Sequence, residues 1–151
     1  MEKIEKLKKI FKREKIDGYI IPKNDEFFAE YVPNHNDRLN FISNFSGSYG
    51  LALILKNKNY LFVDGRYTLQ ANNQSKKFFK VITIPNQMPS DILRKKKLLI
   101  GFDPNLFTRR SLSIFFGKSE SDYKPLTNNF IDEIWKRKIK KTKNKFFVLP
   151  A

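Results

Sequence analysis

The sequence contains no cysteine, which excludes a disulfide framework, a thiolate-held zinc or iron–sulfur site and a thiol nucleophile. Histidine is almost missing: His35 is the only one, so a site built from several histidines cannot form within one copy of the chain. No apolar stretch comes near the roughly 20 residues that a spanning helix needs, because lysine or asparagine interrupts each one. The N-terminal MEKIEKLKKIFKREK is amphipathic and carries acidic residues, unlike a secretory signal with its long apolar centre. No membrane partner is expected, and a cytoplasmic address is the default. Acidic residues are in deficit as well: 15 Asp and Glu face 30 Lys and Arg, a formal net charge of +15.

What is present is one domain's worth of chain, 151 residues, with 40% apolar residues and 15 Phe to fill a core. The charge has two competing explanations. Counterion release would favour a polyanionic partner. Yet the excess is almost all lysine, 23 against 7 arginines, spread along the chain together with abundant Asn, Ile and Phe. That set is what an AT-rich coding sequence yields whatever the function, and base-reading proteins lean on arginine. Nucleic acid is therefore not the expected partner; a basic nucleic-acid-binding α/β domain stands as the alternative.

Ile4, Leu7, Lys8, Ile10 and Phe11 follow helical spacing, which predicts an amphipathic helix over 2–15. Asp17-Gly18 breaks it, and Tyr19-Ile20-Ile21 reads as a buried strand ended by Pro22. Residues 23–36 read as a loop with room for one helical turn. Asp37 can cap a short helix through Ile42. Strands 51–56 and 60–63, joined by Asn57-Lys58-Asn59, read as an antiparallel hairpin. A helix over 66–75, a strand over 79–84, a brief helix capped by Ser90, a strand over 98–102, a helix over 109–117 capped by Thr108, an edge strand over 123–126 and an amphipathic turn over 130–135 complete the order. The class is α/β, with a mixed sheet of about five or six strands and helices on both faces.

Several residues invite chemistry, each beside a plainer reading. Asp64 and Asp103 follow strands and could hold Mg²⁺ for phosphoryl transfer, although Asp-Gly and Asp-Pro are turn dipeptides. Ser46 to Gly50 resembles a phosphate-cradling loop, but it precedes a strand where such loops open a helix. His35 has no orienting partner nearby in sequence, as a general base requires. Asp25, Glu26 and Glu30 could form an acidic face. The lysine-rich run 136–145 reads most simply as a solvated linker. Arg38 and Arg66 stand out because lysine dominates, so an arginine hints at bidentate or stacked geometry; an internal salt bridge is the plainer account of both.

Six segments in this order resemble one family. They are DGYIIP (17–22), EYVP (30–33), RLNFISNFSGSYG (38–50), FVDGRYTLQA (62–71), GFDP (101–104) and NFIDEIW (129–135). The chain is similar to the N-terminal domain of Xaa-Pro aminopeptidases, the creatinase/prolidase group. The resemblance implies a three-layer mixed-sheet domain with a ribonuclease H-like shape. It implies a non-catalytic lobe, 1–135, followed by 136–151 as a linker and the start of a next domain, beginning with the strand Phe146 to Pro150. The parent enzyme would be a metallo-aminopeptidase that removes the residue preceding proline. Its two divalent metal ions, manganese by resemblance, would sit on Asp, His and Glu ligands in a later domain, and none of those ligand motifs occurs here. The implied partners are the remaining domains of the same polypeptide, a second subunit in a homodimer and a proline-containing peptide. By the same resemblance Arg38, Asp64, Arg66 and Tyr67 are the candidates for contacts at the dimer interface or the mouth of the active site, with no catalytic residue and no metal ligand among them. Arg66 would clamp a peptide carboxyl or carbonyl group, Asp64 would orient Arg66, and Gly47 and Gly50 would permit a tight loop.

Overall fold

A computed structural model describes residues 2–137. In chain order the elements are α1 (Glu2–Glu14), β1 (Gly18–Pro22), α2 (Arg38–Ser43), β2 (Leu51–Leu55), β3 (Asn59–Asp64), α3 (Thr68–Ser75), β4 (Lys80–Ile84), α4 (Pro89–Leu93), β5 (Leu99–Phe102), α5 (Arg109–Phe116), β6 (Asp122–Pro125) and α6 (Phe130–Ile134). The six strands form one sheet in the order β4-β3-β2-β1-β5-β6. Only β2 runs antiparallel to its neighbours, because the three-residue Lys56–Lys58 turn returns the chain directly; every other pairing is parallel and needs a helical crossover.

Alternation along the strands sorts side chains into two cores. Tyr19, Ile21, Ala52, Ile54, Leu61 and Val63 face the layer of α1, α2, α3 and α6. Ile20, Leu53, Phe62 and Ile100 face α4 and α5. The 3,4 spacing of α1 buries Ile4, Leu7, Ile10 and Phe11 on one stripe, each contributing about 1.5–3 kcal/mol. β1 and β2 are buried along their whole length, as strands covered on both faces must be, while the edges β4 and β6 expose lysine or proline and so discourage further pairing. Gly18 is fixed by packing, since a Cβ there would lie 2.6 Å from Leu55 Cδ2 and 2.9 Å from the Ile54 carbonyl.

Local chemistry sets the boundaries. Asp37 caps α2 by accepting the Asn40 N–H at 3.0 Å, and Thr108 caps α5 by accepting that of Ser111 at 3.1 Å. Three expectations are corrected. Ser90 lies buried inside α4 and does not cap it; Pro89 starts the helix, and Asp91 reaches back to accept the Met88 N–H at 2.8 Å. Residues 23–36 form turns without a helical turn, because the Asp25 carboxylate takes the N–H groups of Phe27 and Ala29 that a helix would have used. The segment after Asp64 opens as a 3₁₀ turn over Gly65–Tyr67 before α3 begins. The run 138–145 and the strand expected over Phe146 to Pro150 lie outside the described residues.

Candidate functional site

Five strands point the same way, so their C-terminal ends deliver their connections to one end of the sheet. The candidate site lies there, where α/β sheets present ligand-facing loops. Asp64 ends β3 and caps the following turn by accepting the Arg66 N–H at 2.9 Å. The same carboxylate takes the Arg66 guanidinium, with Nη2 at 2.7 Å from Oδ2 and Nε at 3.2 Å from Oδ1. The fork is thereby folded back and fixed in direction while its side chain stays 74% exposed. Arg66, hydrogen-bonded to Asp64, holds that carboxyl below the usual carboxylate range, and Asp64 raises Arg66 in return.

Tyr67 completes the cluster. Its ring lies 5.3 Å from the Arg66 guanidinium, its edge meets Phe45 at 5.9 Å, and its hydroxyl is 2.6 Å from Ser48 Oγ. The loop carrying Ser48 is tied down at Ser46, whose N–H donates to Gln74 Oε1 at 3.0 Å and whose Oγ accepts from Gln70 and Gln74. Gly47 has an ordinary φ; what requires glycine is close approach, since a Cβ would sit 2.2 Å from Phe45 Cζ. The loop leads into β2, not a helix, so it is no phosphate cradle.

Arg38 belongs to a second cluster. It is only 3% exposed and pairs bidentately with Asp132, Nε to Oδ1 and Nη2 to Oδ2 both at 2.9 Å, while Nη1 reaches Glu26 at 3.1 Å. Burial works to lower the guanidinium, but its hydrogen bonds to Asp132 and Glu26 outweigh that and raise it; Arg38 in turn holds Glu26 low. Arg137 joins through Asp132 at 2.7 Å and donates to the His35 carbonyl at 2.6 Å. Arg38 floors a polar concavity of about 620 Å³ that also takes in Glu26, Asp103 and Asp132. Lys23 and Asp37 form a further buried pair nearby in the same loop.

Thus the structure brings Asp64, Arg66 and Tyr67 together and sets Arg38 in a separate network. Asp64 and Asp103 end strands separated by β2 and β1, three strand spacings or roughly 14 Å, too far to share one cation. Asp103 instead accepts from the Asn105 N–H at 2.9 Å and Asn129 Nδ2 at 2.8 Å, which docks the start of α6. That removes the Mg²⁺ nuclease reading. Among the described residues no group of three or more Asp, Glu or His is placed to hold a metal ion, so the dimetal centre implied by the resemblance does not fit this part of the chain.

Sequence reasoning missed the loop aromatics. Phe27 and Tyr31 are 79% and 80% exposed, with Phe28 and Tyr49 also at the surface. Asp25, itself buried, pins the turn that turns Phe27 and Phe28 outward, and Phe28 takes a left-handed φ of 53° to do so. Tyr31 and Ser48 line one small concavity, which brings Tyr31 close to the Tyr67 cluster. The available signal was DEFFAEYV itself: aromatics among acids in a loop without strand or helix period.

Comparison with known proteins fits this arrangement. The Creatinase/Prolidase N-terminal domain family matches residues 3–119, and the chain belongs to it. Among curated proteins, "Probable Xaa-Pro aminopeptidase P" of Coprinopsis cinerea is 33% identical over 139 residues, which is 85% of this chain and 22% of that protein. The chain therefore spans about a fifth of the length of the curated relatives it matches. An X-prolyl aminopeptidase of Caenorhabditis elegans, described as a cytosolic enzyme with a di-nuclear active site, superposes with a TM-score of 0.83 at 28% identity, over 93% of this chain and 26% of that one. The N-terminal domain of the cytoplasmic peptidase PepQ of Mycobacterium tuberculosis H37Rv gives a TM-score of 0.68 at 19% identity over 89% of this chain and 98% of that one, a likeness of fold alone.

Proposed function

We propose that this chain is the non-catalytic N-terminal lobe, residues 1–135, of a cytoplasmic dimetal Xaa-Pro aminopeptidase, and that 136–151 lead into the next domain. The lobe serves dimerisation and shapes access to the active site. The metal ions, manganese in this reading, and the water they activate belong to a later domain; this chain's residues supply contacts and orientation. The observation that carries the reading is Arg66: a guanidinium held in one direction by Asp64 and Tyr67, yet left outward on the same end as exposed Phe27 and Tyr31. An ion pair meant only for stability would gain little from such exposure. A pre-oriented cation at the same end of the sheet as uncovered aromatics suits a rim that meets a partner subunit and the carboxyl or carbonyl end of a peptide.

The test uses the full-length protein. Arg66→Ala should raise KM for an Xaa-Pro peptide about tenfold with kcat little changed, since a charge-assisted contact is worth about 1.5–3 kcal/mol. Phe27→Ser with Tyr31→Ser should weaken the dimer by light scattering. An unchanged KM would remove the access role. Manganese-dependent turnover of an Xaa-Pro peptide by the 151-residue chain alone would overturn the non-catalytic assignment.

A further inference from the structure

The +15 charge is not spread evenly over the fold. The N-terminal ends of the parallel strands and the connections into them, segments 15–17, 56–58, 76–80, 94–98 and 118–122, hold eleven Lys and Arg, all exposed, against three carboxylates. The connections at the opposite end, 23–37, 44–50, 64–67, 85–88, 103–108 and 126–129, hold two basic residues and six carboxylates, and five basic residues when Arg38, Arg109 and Arg110 at the starts of the following helices are added. Drift in composition would load both ends alike. Among the described residues only two of the eleven are in ion pairs, Lys56 with Asp17 at 2.6 Å and Arg94 with Asp91 at 3.3 Å. Lys56, Lys58 and Lys96 surround a concavity of about 310 Å³ between the β2–β3 turn and the start of β5.

We propose that this end of the sheet binds the phosphate backbone of nucleic acid without regard to base sequence, independently of the peptidase reading. Three features select that partner. The cations are ten lysines and one arginine, and lysine meets a phosphate as a point charge without the two-pronged contact that reads a base. The exposed large apolar side chains Phe27, Phe28, Tyr31, Tyr49, Leu69 and Ile114 all lie outside these segments, so neither an inserted membrane anchor nor the aromatic centre of a protein interface is offered there. The six strands, about 4.8 Å apart, spread the charges over roughly 24 Å. That is the axial length of about seven base pairs.

The test measures binding of the 151-residue chain to a 20-base-pair duplex of arbitrary sequence by fluorescence anisotropy, between 50 and 200 mM salt. K58E/K96E should lower affinity about tenfold or more near 0.1 M salt and reduce the log–log salt slope by about 2. K6E/K9E makes the same change in net charge on the exposed face of α1 and should alter affinity less than about twofold, since those lysines lie outside the face. Circular dichroism checks that both variants fold. Equal losses in the two variants would reduce the effect to net charge and overturn the proposal. Three other outcomes would overturn it as well: no wild-type binding at 0.1 M salt, displacement of the duplex by poly-glutamate at equal charge, or binding to phosphatidylserine vesicles but not to the duplex.

Discussion

The two ends of this sheet use charge in opposite ways. At the C-terminal end charged groups are fewer and several are held in pairs: Asp64 grips Arg66, Asp132 and Glu26 grip Arg38, and Lys23 meets Asp37. At the N-terminal end charges are many, alike and mostly without an ion-pair partner among the described residues. Held charges build geometry, because desolvated or bidentate pairs fix both partners. Loose lysines build a field instead, which acts over a distance and tolerates the loss of any one member. Substitutions should therefore change stability sharply at one end and hardly at the other.

The contrast is pressed hardest at Arg38. Arg38→Ala should lower the unfolding free energy in urea by about 2–4 kcal/mol, somewhat under the range for a fully buried pair because Glu26 and Asp132 keep partial access to water. Arg38→Lys should recover only part of this, since an ammonium cannot make the two-pronged contact with Asp132. Gly47→Ala comes next, at about 1–3 kcal/mol, because the new methyl group must push Phe45 or Tyr67 aside. The same melt measures it, and a neutral result would mean that the loop yields easily.

Acid gives a third comparison. Asp17 is held low by the Leu99 N–H and then by Lys56; Glu26 is held low by Arg38. A carboxyl lowered in the fold stabilises it above the unfolded-state value, and that contribution is lost as pH falls through the folded value. Stability should thus decline below about pH 4.5, and Asp17→Asn or Glu26→Gln should flatten the decline from that side. Among the described residues Asp17 is the one such anchor at the lysine-rich end, joining β1, the turn after β2, and β5. The smallest effect is reserved for the lysines: Lys58→Glu or Lys97→Glu should change the unfolding free energy in urea by less than about 0.5 kcal/mol. A larger shift would show that this end, too, depends on fixed contacts.

Periodicity and punctuation made most of the architecture legible. The 3,4 stripe of α1, the Tyr19 to Pro22 run, the hairpin over 51–63 and the caps Asp37 and Thr108 are local, so each could be read from a few neighbouring residues. Ser90 misled because a cap and a buried helical serine look alike in sequence, and only the Asp91 contact to Met88 separates them. The cluster of Asp64, Arg66 and Tyr67 was legible because its members are adjacent. Its supports Ser48 and Phe45 lie about twenty residues earlier, joined only by the fold.

The amino-acid order by itself determined the class of fold, the family and the lack of a thiol or multi-histidine site, because these follow from local patterns and from which side chains exist at all. Tertiary structure alone decided which charges meet. It buried Arg38 against Asp132, 94 positions away, kept Asp64 and Asp103 apart, and gathered the lysines of five separate turns at one end. The reason is that electrostatic effects fall off with distance in space, and only the order of strands in the sheet converts distance along the chain into distance in space.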